Sequence, residues 1–457
     1  MLTVHEGHYA PTYAAYFQKQ NAAIDDGDLD ALKLNLDTVG LINACVDMET
    51  QMPFYPQMAY SNTYGIQAIT EEEYQESLDA WPQCKNLTQT CRSMAEEMDP
   101  EGYGNNTDVN EACYYAFDWC FSRIQFPYMR SGLYQFDIME TLPSSFPPKL
   151  AAGYLNQANI QQALGVPLNL TGLSAAIGVG YNVSGDFVKG KNLAHLGQLL
   201  DDGVKVALVY GDADYQCKWY GGEALSLAID ADLQASFAEA GYNDIQTNDT
   251  YVGGSVRQHG NLTYSRVYNA GHEGELTLVS SGVRENANWC FAVPWYQPET
   301  AYQIFNRVMF NKDVASGRVD VSDDYSSSGA ASIADVTNES DPGHERYCYL
   351  WDMLETCVEE EYVMVMSGAA IIKDYILLGY TAENGTNVYL LNGTTVGEQL
   401  MGDGGSGNGN GSANGSTSTS SPAEQTSTPT GNGATPTGMI NHAVVGLLIS
   451  LLILTVV

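Results

Sequence analysis

Two residues have the types and the setting for proton-transfer chemistry: Asp214, in Gly211-Asp-Ala-Asp-Tyr-Gln-Cys-Lys-Trp219, and His272, in Asn269-Ala-Gly-His-Glu273. A neutral imidazole can take the proton of a hydroxyl nucleophile and return it to a leaving amine. A carboxylate on its other nitrogen fixes the tautomer and stabilises the imidazolium. Each residue follows an apolar run, so each is expected on a turn at a strand's end. Acid first and histidine later is the back end of a Ser…Asp…His order. The nucleophile then belongs upstream, on a sharp strand-to-helix turn. The only segment placed for that turn, Met1-Leu-Thr-Val-His-Glu-Gly-His-Tyr-Ala-Pro11, holds no serine.

Strand–helix alternation must position these residues. The runs 204–210 (Val-Lys-Val-Ala-Leu-Val-Tyr) and 262–268 (Leu-Thr-Tyr-Ser-Arg-Val-Tyr) read as strands, and so does 33–43. Residues 9–20 read as a helix with Pro11 in its first turn and Tyr13, Tyr16 and Phe17 on one face. Further helices are expected over 151–164, ended by Gly165, and over 298–310. Both chemistry-bearing residues would then lie at the carboxyl ends of strands, where open α/β sheets bind their ligands. Residues 48–145 break the alternation and are rich in aromatics, acids and cysteines.

At these residues the chain resembles the serine carboxypeptidases, α/β-hydrolases that remove C-terminal residues at acid pH. The family's nucleophile motif reads Gly-Glu-Ser-Tyr-Gly-Gly-His-Tyr-x-Pro, and Gly7-His-Tyr-Ala-Pro11 matches its end, which puts Val4 at the serine position. The likeness runs from Gly7 to about Asn311 and includes Phe146-Pro-Pro-Lys149, Tyr154-Leu-Asn156 and residues 211–223. The family's Asn-Gly-Gly-Pro-Gly loop has no counterpart here. The resemblance implies His272 as base and acid and Asp214, the second acid of Gly-Asp-x-Asp, as its orienter. Asp212 is expected to shape the turn through an Asx bond. Cys217 resembles a lone thiol lining the substrate pocket, and Glu273 stands where relatives place a residue near the leaving group. The implied fold is an α/β-hydrolase lacking its N-terminal strands, with a disulfide-bearing cap insertion at about 48–145, a small β appendage at 312–400 and a disordered tail. The hydrolase domain is residues 1–311. The implied partners are peptide or protein C-termini. No cofactor and no metal is expected.

The nine cysteines support an oxidising compartment. Cys84-x6-Cys91 and Cys113-x6-Cys120 have mirrored spacing, which suggests nested bridges Cys84–Cys120 and Cys91–Cys113. Spacing does not determine connectivity, but the family's insertion carries a similar paired arrangement. A zinc site competes weakly, since no CxxC spacing is present. Cys348 and Cys357 are a local pair, and Cys45 is expected to have lost its partner. Eleven Asn-x-Ser/Thr sequons fit passage through the secretory route, although residues 1–11 have no signal-peptide pattern. The net charge of −36 argues against nucleic acid, which needs a basic surface.

Residues 401–438 are mostly Gly, Ser, Thr, Asn and Pro, too polar to fold alone, and read as a glycosylated stalk. Residues 439–457 end in an apolar run from 443, shorter than the about 20 residues that span a bilayer. Small residues at Asn432-Gly-Ala434 before a short spacer give the pattern of a glycosylphosphatidylinositol signal, with Asn432 as attachment site. A tail-anchored helix is the competing reading. The expected location is the cell surface or extracellular space, membrane-anchored. Two functions from different classes follow: a surface-anchored serine-type carboxypeptidase lineage, or a non-catalytic surface glycoprotein that kept the fold.

Residues 274–292 separate the histidine loop from Val293-Pro-Trp-Tyr-Gln-Pro298, segments that run together in the family. Gly274-Glu275 can encode a splice donor and Phe291-Ala292 an acceptor, so this stretch is expected to be a retained intron. Spliced transcripts should show a junction there; reads that cross 274–292 without one mean a genuine surface loop.

Overall fold

The computed structural model describes residues 6–144, 151–170, 175–272, 293–337, 346–373, 375–382 and 384–390. Helix α1 (Glu6–Asp25) starts earlier than expected, so Pro11 stands inside it. It presses on the chain beyond the first strand: a Cβ on Gly7 would lie 2.3 Å from the Cys45 carbonyl oxygen. That strand, β1 (Thr38–Ile42), is shorter than the 33–43 expected. The Asn21 side chain captures both the amide and the carbonyl of Leu34, each at 2.8 Å, in place of a ladder partner.

Helices and turns then make up most of residues 48–145, the segment expected to be a cap. Helix α2 (Glu71–Met98) opens on a capping box between Thr70 and Glu73. Helix α3 (Thr107–Cys120) opens on Asn106, whose side chain accepts from the Val109 amide. Seven residues are about two helical turns, so Cys84 and Cys91 share one face of α2, and Cys113 and Cys120 share one face of α3. Bridges Cys84–Cys120 and Cys91–Cys113 join the two faces, and all four cysteines are buried. A short hairpin, β2 (Leu133–Tyr134) and β3 (Asp137–Thr141), leads back to the sheet. The helix expected at 151–164 is two, α4 (Ala151–Leu155) and α5 (Ala158–Leu164). Asn156, at the break, accepts from the Leu170 amide and donates to the Leu170 carbonyl. Gly165, at φ 70°, closes α5 in the left-handed conformation that suits a residue without Cβ.

Helix α6 (Asn192–Asp201) leads into β4 (Lys205–Gly211), and α7 (Trp219–Ala228) leaves it. Strands β5 (Tyr242–Gln246), β6 (Val252–His259) and β7 (Leu262–Val267) complete a five-stranded sheet in the order β1-β4-β7-β6-β5. β1, β4 and β7 are parallel, with Leu41 beside Leu208 and Leu208 beside Tyr264; β6 and β5 are antiparallel. Parallel strands covered on both faces read as unbroken apolar runs, and β4 is buried from Val206 onward. The class is α/β, as read from the sequence. Leu41, Val206, Leu208, Tyr210, Leu225, Leu262 and Tyr264 form the centre of the core, with α1, α6 and α7 packed on the sheet.

Helix α8 (Pro298–Met309) follows the histidine loop. Residues 312–337, assigned to the appendage by sequence, run along the antiparallel strands instead, where Ala330 bridges Tyr242 and Ser326 bridges His259. The appendage sheet is β8 (Ala370–Lys373), β9 (Ile376–Thr381) and β10 (Asn387–Tyr389), antiparallel in the order β10-β9-β8, with Cys348–Cys357 beside it. No helix among the described residues is long and apolar enough to cross a membrane. Residues 274–292, the stalk and the tail at 439–457 lie outside the described residues.

Candidate active site

β4 ends at Gly211 and β7 at Val267, and the loops that follow touch. A Cβ on Gly211 would lie 2.4 Å from the Ala270 carbonyl oxygen, and one on Gly271 would lie 2.4 Å from that of Phe136. Glycine at both positions lets the turns close on each other. Asn269 takes the left-handed conformation, φ 50°, which Asn tolerates. His272 is then held three ways. Its backbone amide donates to the Phe136 carbonyl at 2.5 Å, its ring stacks on Phe136 at 5.2 Å, and its Nδ1 lies 2.6 Å from Asp214 Oδ2.

Asp214 is fully buried. Its Oδ2 also accepts from Asn43 Nδ2 at 2.9 Å, and its Oδ1 accepts from the Cys217 amide at 3.1 Å. Asn43 ends β1 at φ 47°, and its amide donates to the Val209 carbonyl at 2.7 Å. The carboxylate is therefore gripped from the strand beside it and from its own turn. In a neutral imidazole, a bond to the Asp214 carboxylate requires the proton on Nδ1 and leaves the lone pair on Nε2. Nε2 is buried and has no hydrogen-bond partner among the described residues. A base oriented by an acid, with its acceptor nitrogen uncommitted, can take a proton from a hydroxyl placed against it.

The neighbouring acid has a different task from the Asx turn expected of it. Asp212 Oδ2 accepts from Arg266 Nε at 3.2 Å and Nη2 at 3.1 Å, and both side chains are fully buried. Arg266 also donates to the carbonyls of Ile333 and Val336 and to Thr63 Oγ1, and it lies over the Trp219 ring at 4.1 Å.

Two ionisable groups beside the site are unusual. Lys218 is 1% exposed, and its Nζ sits 2.7 Å from the Tyr55 ring centroid with no hydrogen-bond partner among the described residues. Burial holds its pKa well below the usual lysine range, with the Asp214 charge opposing only in part. Tyr55 packs on Tyr215, which stacks on Tyr128 at 3.7 Å, so an aromatic column supports the turn. Asp137, next to Phe136, is pushed up to about 8, chiefly by burial, with a hydrogen bond from the Met139 amide opposing and the Glu140 charge adding.

Cys217 requires a correction. It is no lone thiol: it is bonded to Cys45, Cα–Cα 5.2 Å, and Cys45 has not lost its partner. The strand end that carries Cys45 reaches the turn because β1 and β4 are adjacent, a pairing that sequence distance hides. Among the described residues, two side-chain trios approach metal-site geometry, Asp214/Cys217/His272 and Cys348/Cys357/Glu361. Every cysteine in them is in a disulfide and offers no thiolate, so the residues present do not fit a thiolate metal site. Glu273 and Asn432 lie outside the described residues. Sequence reasoning missed Asn43, Lys218 and Phe136. An Asn closing a strand was a usable signal for the first and a lysine inside an apolar turn for the second; Phe136 acts largely through its backbone and gives none.

A family model described as serine carboxypeptidase matches residues 5–311. The chain is 40% identical over 387 residues to Carboxypeptidase S1 homolog B of Arthroderma otae, covering 81% of this chain and 56% of that protein. It is 36% identical over 391 residues to Carboxypeptidase Y homolog of Arthroderma benhamiae, covering 83% of this chain and 59% of that protein. The chain thus spans little more than half the length of these curated relatives. A crystal structure of Kex1(delta)p, a prohormone-processing carboxypeptidase from Saccharomyces cerevisiae, has 17% identity and a TM-score of 0.40 over 59% of this chain and 56% of that one.

The Lys218 environment has a measurable consequence. Its folded pKa lies below its unfolded value of about 10.4, so the unfolded chain binds the extra proton between the two. Stability therefore rises with pH in that window, by up to about 1.4 kcal/mol per pH unit from this group. Lys218→Met should remove that rise, stabilising the protein most at the acid end, with the gain fading toward about pH 10. Urea unfolding at several pH values checks this; equal slopes for both proteins would mean that Lys218 stays charged.

Proposed function

The chain belongs to the serine carboxypeptidase family, and from that premise we propose that His272 and Asp214 are the base and the orienting acid of a serine-type peptide hydrolase acting at C-terminal ends. The observation that carries the reading is the buried His272 Nε2, uncommitted on the side of the ring opposite the 2.6 Å bond to Asp214. In the reaction, His272 takes the proton of the attacking hydroxyl as its oxygen bonds to the scissile carbonyl carbon. The Asp214 bond stabilises the imidazolium so formed, and the same proton then passes to the departing amine. The Cys217 and Asn43 donors keep the carboxylate turned toward Nδ1 throughout. Glu273, next to the base, would favour a basic group near the leaving residue.

Aligned by the resemblance, Val4 stands where the motif calls for serine, and acyl transfer needs a nucleophile beside the relay. That feature favours a second reading, a non-catalytic surface glycoprotein that kept the fold. One assay separates the two. The purified chain should release C-terminal residues from blocked dipeptides no faster than its His272→Ala variant; release clearly above that control would sink the proposed inactivity and leave the enzyme reading alone.

The sequons, the polar stalk and the apolar run after Asn432 support a lipid-anchored protein at the cell surface. A phosphatidylinositol-specific phospholipase should free it from membranes. Retention in the membrane after that treatment would favour a spanning tail.

A further inference from the structure

The two groups that grip Asp214 are joined by a covalent bond lying against the relay. Asn43, which donates to Oδ2, stands two residues before Cys45; Cys217 supplies the donor to Oδ1 and is bonded to Cys45. The bridge spans a sequence separation of 172, so it links segments that only the sheet brings together. Cys217 Sγ, an Asp214 carboxylate oxygen and a His272 ring nitrogen all lie within 4.8 Å of one another. On its other side, Cys45 is backed by α1 at Gly7, where even a Cβ would not fit. The carbonyl of Gln216, beside Cys217, accepts from the Tyr55 hydroxyl at 2.6 Å. The other bridges lie elsewhere, two in the cap helices and one by the appendage sheet.

We infer that the Cys45–Cys217 disulfide is a positioning element of the relay: it locks the end of β1 to the turn after β4, so that both donors meet the Asp214 carboxylate and turn it to His272 Nδ1. This rests on the relay reading above. A dithiol reductant undoes the lock in two exchange steps. Its first thiolate attacks one cysteine sulfur and breaks the S–S bond, and its second closes the reagent into a cyclic disulfide. Two electrons and two protons end on Cys45 and Cys217 as thiols. Freed of the bond, the two turns are held only by noncovalent contacts, and the carboxylate loses its fixed direction.

The readout is the low-field proton resonance of the His272 Nδ1–H in the full chain, assigned by its loss in His272→Ala. It reports the bond to Asp214 and not hydrolysis. The Cys45→Ala/Cys217→Ala variant should lose this resonance or exchange its proton with water about tenfold faster, the size of one net hydrogen bond. A Cys84→Ala/Cys120→Ala control should keep it, because that bridge is remote from the relay. Where the alanine pair fails to fold by circular dichroism, Cys45→Val/Cys217→Ala retains more packed volume, and dithiol treatment of the wild type, with thiols located by mass spectrometry, makes the same comparison. A wild-type resonance that survives loss of the 45–217 bridge overturns this inference and leaves the relay standing. No such resonance in the wild type overturns both.

Discussion

The buried ion pair between Asp212 and Arg266 is the constraint from which the site is built. Two charges with no exposure to water are tolerable only when their hydrogen bonds are met. Arg266 directs its donors to Asp212, to the carbonyls of Ile333 and Val336 and to Thr63, and lays its plane on Trp219. One side chain thereby joins β7, the turn after β4, the cap and the strap at 312–337. Removing one partner from such a pair costs on the order of 3–5 kcal/mol, since it leaves a charge buried alone. Through it the turn that carries Asp214 is tied to the strand that leads to His272.

Two aspartates two positions apart serve unlike ends. Asp212 faces a permanent cation and is structural. Asp214 faces an imidazole, an amide side chain and a backbone N–H, groups that orient it without a full opposing charge. Lys218, the lysine nearest in sequence, is turned onto the Tyr55 ring with no hydrogen-bond partner among the described residues. Arrangement, not composition, assigns each of these ionisable groups its role.

Much of the fold was legible because it rests on local rules. The unbroken apolar run of β4 reports burial on two faces, and Gly165 marks the end of α5. Cysteines seven apart on two helices find matching partners on facing surfaces. β5 and β6 were not legible. Tyr-Asn-Asp-Ile-Gln and Val-Gly-Gly-Ser-Val-Arg-Gln-His are too polar and glycine-rich to announce strands, and their stability comes from pairing with β7 and with residues 312–337. The strap failed for the same reason: its partners lie far away in the chain.

By itself, the sequence determined the α/β class, the family and the choice of Asp214 and His272 as candidates for acid and base, because strand period and turn motifs are properties of neighbouring residues. The Cys45–Cys217 bond, the grip of Asn43 and Cys217 on Asp214, and the pairing of Asp212 with Arg266 were decided only in three dimensions. Each depends on β1, β4 and β7 lying side by side, and hydrogen bonds between strands more than fifty residues apart in sequence leave no local pattern to read.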